Sequence, residues 1–195
     1  MTQQQPEIKG WQPLEDTKTA LNVAMLAAQA LSAPVEVFLR TRFGSRYFGV
    51  PAFLGFIAVP MWLLLWPGED PRPMTVFWAF YILMQLRARV ESAAMVRKGD
   101  IVHTRYNGRP RLMSLFRKTP ELKLKAVEPW LVMLVGVFLM AVSEALGSYL
   151  IAAGFCLALV ESTIAAAERA RVFQMHDAFL EQQQTAERFR ELRRR

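Results

Sequence analysis

Residues able to do chemistry are few in this 195-residue chain, and they are scattered. The soft and borderline metal donors are His103, His176 and Cys156. The two histidines are far apart and the cysteine lies inside an apolar run, whereas zinc takes four ligands held together. No metal site is expected, and no cofactor. The chain has no Gly-x-Ser-x-Gly elbow, P-loop, glycine-rich dinucleotide fingerprint or His-Glu-x-x-His pair, so no catalytic residue is assigned. Glu161-Ser162-Thr163 places an ionisable group at the edge of an apolar run. At membrane depth such a group is a functional candidate; at the edge, hydration at a helix end is the simpler reading.

The one dense chemical cluster is basic. Arg105, Tyr106, Arg109 and Arg111 surround Asn107-Gly108, and Arg117, Lys118, Lys123 and Lys125 follow. These eight are the candidate partner- or phosphate-binding residues. Guanidinium and ammonium groups recognise phosphate on lipid or on nucleic acid. Acidic protein partners are a further option, and the plainest reading is topological, since basic residues hold a loop on the cytoplasmic side. Nucleic acid ranks last, because stacked aromatics and a recognisable module are missing.

The elements that position this cluster are apolar blocks. Of all residues 53% are hydrophobic and 21% charged, which excludes a disordered chain, and the single cysteine excludes a disulfide framework. Tyr47–Trp66 is a run of 20 residues without charge, about 30 Å as a helix, the hydrocarbon thickness. Pro67-Gly-Glu-Asp-Pro-Arg-Pro73 then reads as a turn, and Met74–Leu86 as a second, short span extended by Arg87 and Arg89. Val127–Ala167 is long enough for two spans, with the turn expected at 143–148 around Glu144 and Gly147. Gly154 and Ala158, four apart, are candidates for close helix packing. Gln85 is the one polar residue late in the second span.

The fold class expected is therefore an all-α integral membrane protein with four transmembrane helices in two antiparallel hairpins. Its parts are a cytoplasmic N-terminal region (1–46), a first hairpin (47–90, spans about 47–66 and 74–88), and a basic cytoplasmic loop (91–126). A second hairpin (127–167) and a cytoplasmic helical tail (168–195) follow. The loop carries a possible β-hairpin over 101–112, turning at Asn107-Gly108. The two tips each carry net −1 and segment 87–128 carries net +7, so 23 of the 24 basic residues fall on one side. That side is expected to be cytoplasmic, with both termini on it. The opening residues lack the basic start and apolar stretch of a secretory signal. A bacterial inner membrane is the expected location. Trp66 and Trp130 suit interfacial anchoring, while Trp62 and Trp78 either anchor or pack between helices.

Residues 16–33 read as a helix with Leu21, Met25, Ala28 and Leu31 on one face. Pro34 interrupts it or starts another, whose Val35, Phe38 and Leu39 stand beside Arg40, Arg42 and Arg46. That second stretch either lies at the inner membrane surface or packs on the protein's own core. Beyond Glu168 there is no proline or glycine, and Val172, Met175, Phe179, Gln182, Ala186 and Phe189 follow a 3-4-3-4-3 spacing. Val172, Met175, Phe179 and Phe189 are the candidate tail interface, as a coiled-coil seam or as one face of a cytoplasmic bundle.

These features favour a non-enzymatic membrane anchor or scaffold subunit of a larger complex of the secretion, conjugation or defence kind. Its partners would be anionic lipid headgroups and either further copies of itself or other membrane subunits. The alternative is an oligomeric pore or membrane-disrupting effector gated from the cytoplasm. A third reading is a nucleic-acid tether working through the basic loop.

Overall fold

The computed structural model describes residues 13–44, 49–99 and 106–194. They form five α-helices: α1 Pro13–Leu39, α2 Val50–Leu63, α3 Arg72–Arg97, α4 Glu121–Leu139 and α5 Glu144–Arg194. A two-stranded antiparallel sheet pairs β1, Arg40–Thr41, with β2, Arg109–Pro110, and a 3-10 turn over Arg111–Ser114 follows β2. Two helices are long and apolar enough to cross a membrane: α1 over Thr19–Leu39, and α5, which starts at Glu144. The apolar helix α2 is shorter, at 14 residues.

The two hairpins expected from the apolar blocks are present as α2–α3 and α4–α5. Tyr81 Oη donates to Ala52 O (2.9 Å) and Trp78 Nε1 to Phe56 O (3.0 Å), so α2 and α3 run antiparallel. A Cβ at Gly154 would meet Met133 and Pro129, and one at Gly136 would meet Ile151, so α4 and α5 do the same. The two tips lie together, since the Ala145 amide donates to Glu69 Oε2 at 2.7 Å. An acidic side chain at the first turn of α5 suits the free amides and dipole there.

Element boundaries differ from expectation at four places. First, α2 stops at Leu63, where Leu64, Leu65 and Trp66 tighten into three-residue turns ahead of Pro67. Second, α3 runs on to Arg97, because nothing between Arg87 and Gly99 breaks a helix. Third, the second tip is Met140–Ser143 rather than 143–148. Ser143 Oγ accepts from Leu146 N (3.3 Å) and starts α5, so Gly147 lies within that helix, packed on Met140. Fourth, β2 pairs with Arg40–Thr41, so the second arm of the expected 101–112 hairpin finds its partner 70 residues upstream. The first arm, 101–105, lies outside the described residues.

The N-terminal region adds a fifth helix to the two hairpins. It is one helix through Pro34, and Ala28 and most of the residues from Ala30 to Arg40 are buried at the centre of the bundle. Of the two sequence readings, surface helix or helix packed on the protein's own core, the second describes Val35, Phe38 and Leu39. Pro34 deprives the Ala30 carbonyl of its helical donor. At that carbonyl α2 makes its close approach: a Cβ on Gly55 would lie 2.7 Å from Ala30 O.

The course of α1 follows from two contacts. Tyr149 Oη donates to Leu31 O (3.1 Å), and Arg40 reaches Glu161 (2.7 Å). Residue numbers rise together along α1 and α5, so α1 enters the bundle from the end that carries the tips and leaves at the other end. The main core joins Val35, Val59, Met74, Val132, Leu146, Tyr149, Leu150 and Ala153; a second cluster joins Val37, Phe43, Tyr81 and Ala88. The fourth apolar block continues as one helix to Arg194, as its lack of breakers implies.

Candidate anion-binding cleft and the ion cluster behind it

At the end opposite the tips, α1 delivers Arg40 into the interior. Arg40 and Glu128 are both fully buried, and Glu161 is 13% exposed. Arg40 Nε donates to Glu128 Oε2 at 2.7 Å. Nη2 stands at the same distance from that oxygen but lacks hydrogen-bond geometry; among the described residues neither Nη2 nor Glu128 Oε1 has a hydrogen-bond partner. Arg40 Nη1 donates to Glu161 Oε1 at 2.7 Å and is 3.5 Å from Asn107 O. Glu36, one turn before Arg40 and also buried, accepts from Ser32 Oγ at 2.7 Å. One guanidinium thus joins α1, α4, α5 and the segment before β2. Glu161 is not a hydrated helix end but half of an ion pair. Nothing local in the sequence marks these partners of Arg40, which lie 88 and 121 positions away.

This joint fixes the short sheet, and the sheet shapes a cleft. Gly44 N donates to Tyr106 O at 3.0 Å, continuing the pairing. Gly108 has φ +81, where a side chain is strained, and a Cβ there would stand 2.8 Å from the Phe43 ring. Arg42 has φ 59, a left-handed conformation uncommon for a non-glycine residue. Just past this corner lies a cleft of about 680 Å³ lined by Thr41, Arg42, Arg87, Arg109, Pro110, Arg111, Met113, Ser114 and Arg117. Five of these nine are arginines and none is acidic.

The cleft arginines meet weak acceptors. Arg109 Nε donates to Met113 Sδ at 3.3 Å, and Arg111 Nη2 lies 3.9 Å from Met84 Sδ. Arg111 Nε is buried with no partner among the described residues. Among the described residues none of the five forms an ion pair. A planar fork of donors without a carboxylate is suited to phosphate oxygens.

The eight candidate residues of the basic loop therefore separate. Arg109, Arg111 and Arg117 enter the cleft, joined by Arg42 and Arg87, which sequence reasoning did not include. Tyr106 and Lys125 turn to Glu121 instead: Tyr106 Oη donates at 2.6 Å, Lys125 Nζ is at 2.9 Å, and the ammonium sits 5.0 Å from the Tyr106 ring centroid. Burial, then the bond to Glu121, pushes the Tyr106 phenol up to about 12. Partial burial pushes the Glu121 carboxyl up, but the hydrogen bonds from Tyr106 and Lys125 outweigh it and hold it below its ordinary value. Lys123 and Lys125 line a second groove of about 730 Å³ between α4 and α5, beside Trp130 and Arg169. Lys118 is exposed, and Arg105 lies outside the described residues.

The other candidates are placed as follows. Gly154 packs against α4, where a Cβ would come within 2.6 Å of Met133 Cγ, and Ala158 lines the second groove. Val172, Met175, Phe179 and Phe189 are all exposed on the part of α5 beyond the bundle. Gln85 Oε1 is buried without a partner among the described residues. Trp62 and Trp78 pack between helices, donating to Ser148 and Phe56, while Trp130 is 69% exposed. Among the described residues no group of three or more His, Cys, Asp or Glu is placed to hold a metal ion.

Fold and cleft together define a mostly helical bundle with two helices able to cross a membrane and an arginine-lined cleft at one end. No family model, curated protein or solved structure matches this chain.

Proposed function

We propose that the protein is a non-enzymatic, multi-pass membrane anchor or scaffold, consistent with a bacterial inner membrane, that presents its basic end and the tail of α5 to partners in the cytoplasm. The observation that carries this reading is an inside-out distribution of polarity. Exposed large apolar side chains cover the outer faces: Phe53, Ile57 and Met61 on α2, Val76, Phe80 and Leu83 on α3, Leu134, Val137 and Phe138 on α4. The ion cluster, meanwhile, is inside. Water-soluble monomers rarely expose an apolar surface that continuous, and lipid is the solvent that fits it.

In this reading α1 is a fifth crossing, and the N-terminus lies on the side of the tips rather than with the C-terminus. The charge pattern supports it. Residues 1–18 hold Lys9 and Lys18 against Glu7, Glu15 and Asp16, net −1, while Arg40, Arg42 and Arg46 follow the helix. With that segment moved, 21 of the 24 basic residues still share one side, and each of the three segments opposite is net −1. Scaffolding is supported by α5, whose residues from Ala166 to Arg190 are exposed, about 37 Å of free-standing helix with Val172, Phe173, Met175, Phe179, Leu180 and Phe189 uncovered.

The test is purification from alkaline-washed membranes in mild detergent. The expected product is an oligomer or a defined complex, reduced to the single chain by Phe179→Asp with no change in melting temperature. A monodisperse monomer binding nothing would refute the scaffold, and release of the chain by the alkaline wash would refute the anchor.

A further inference from the structure

We propose that the cleft formed by Arg42, Arg87, Arg109, Arg111 and Arg117 is a binding site for the headgroup of an anionic phospholipid, and that it prefers a lipid carrying two phosphates. The inference rests on the membrane reading above and adds the ligand of one site.

Charge comes first. Five guanidinium groups share one cleft of about 680 Å³, and among the described residues its lining holds no carboxylate. Among the described residues Arg111 Nε is a buried donor with no acceptor, and such groups in folded proteins are almost always satisfied. The two cleft arginines with internal contacts, Arg109 and Arg111, are steadied by thioether sulfurs, which leaves their strong donor capacity for a ligand. One phosphodiester carries a single negative charge and would leave most of the cleft uncompensated. Two phosphodiesters on one headgroup match it better.

Position then separates lipid from soluble phosphate. On α3, Val76, Phe80, Leu83, Arg87 and Val90 follow one another at spacings of four and three, and all are exposed. Arg87 is the first charged residue along this otherwise apolar, uncovered stripe. From Val76 to Arg87 the helix rises about 16 Å, close to the hydrocarbon depth of one leaflet. On the other wall, Leu115 and Phe116, 74% and 51% exposed, directly precede Arg117. An acyl chain lying along the α3 stripe brings its phosphate to Arg87, at the mouth of the cleft. A nucleic acid would gain the charge contacts but not the apolar ones. Basic pockets at the cytoplasmic ends of membrane helices are a recurrent setting for such headgroups.

The test uses the full chain in phosphatidylcholine nanodiscs, titrated with tetraoleoyl cardiolipin, dioleoyl phosphatidylglycerol, inorganic pyrophosphate or a single-stranded oligonucleotide, and read by native mass spectrometry. Cardiolipin should bind tightest. Arg42→Gln and Arg117→Gln, both on exposed side chains, should each weaken it about fivefold. Lys118→Gln, which removes the same charge outside the cleft, should leave it unchanged. Equal weakening by Lys118→Gln, or tighter binding of pyrophosphate or oligonucleotide than of cardiolipin, would overturn the proposal. Retention of each variant in alkaline-washed membranes is scored separately, so that loss of lipid binding is distinguished from loss of the anchor.

Discussion

Arg40 and Glu128 stand 88 positions apart in the chain and 2.7 Å apart in the fold, both without solvent exposure. Their contact joins the end of α1 to the second turn of α4, and the bond from Arg40 to Glu161 adds α5. A buried ion pair of this kind adds little net stability compared with apolar packing, because desolvation offsets the attraction. Its significance is what happens when one half is removed.

Arg40→Met should therefore be severely destabilising, by about 3–5 kcal/mol, since it leaves the Glu128 and Glu161 carboxylates without their cation. Glu161→Gln should cost less, because that side chain is partly exposed and an amide oxygen still accepts from Arg40. Thermal unfolding in detergent ranks the two; equal midpoints would remove Arg40 from the centre of the joint.

The close approach of α4 and α5 gives an ordered pair of substitutions. A Cβ at Gly147 would stand 2.6 Å from the Met140 backbone nitrogen, which cannot swing aside. At Gly154 its tightest neighbour is Met133 Cγ, on a flexible side chain. Gly147→Ala should cost about 1–3 kcal/mol and Gly154→Ala less. Reversal of that order in melting experiments would contradict the packing described.

The proposed crossing of α1 makes a topology prediction. In a Cys156→Ser background, Thr17→Cys and Glu69→Cys should be labelled by an impermeant thiol reagent from one side of the membrane. Asn107→Cys and Arg190→Cys should be labelled only from the other. Labelling of position 17 together with 190 would return α1 to the cytoplasmic side.

The Tyr106–Glu121–Lys125 group predicts pH dependence at both extremes. Tyr106 titrates near 12, above its ordinary 10, so its contribution to stability is full below 10 and is lost as pH rises toward 12. The lowered Glu121 contributes fully above its ordinary value, and that contribution is lost as acid carries the solution through its folded pKa. Tyr106→Phe should remove this group's share of the alkaline limb of the stability profile and part of the acid limb. An unchanged profile between pH 2 and 12 would show that the hydrogen bond at 2.6 Å is not held in solution.

The sequence by itself determined the apolar blocks, the two short acidic tips, the pairing of helices into antiparallel hairpins, and the long unbroken α5. Each follows from local pattern: runs of apolar residues, prolines and glycines between them, and connections too short for anything but a hairpin. Only the tertiary structure decided the rest. The pattern of α1, rich in alanine and leucine, fits a surface helix and a central one equally well, and its neighbours put it at the centre. Arg40 found Glu128 and Glu161, and Arg42 and Arg87 joined Arg109, Arg111 and Arg117 in one cleft. Those partners lie from about 20 to 120 positions apart, beyond the reach of any helical or strand period. Charge was legible in composition; which charges are neutralised inside the bundle, and which face an open cleft, depended on how five helices pack.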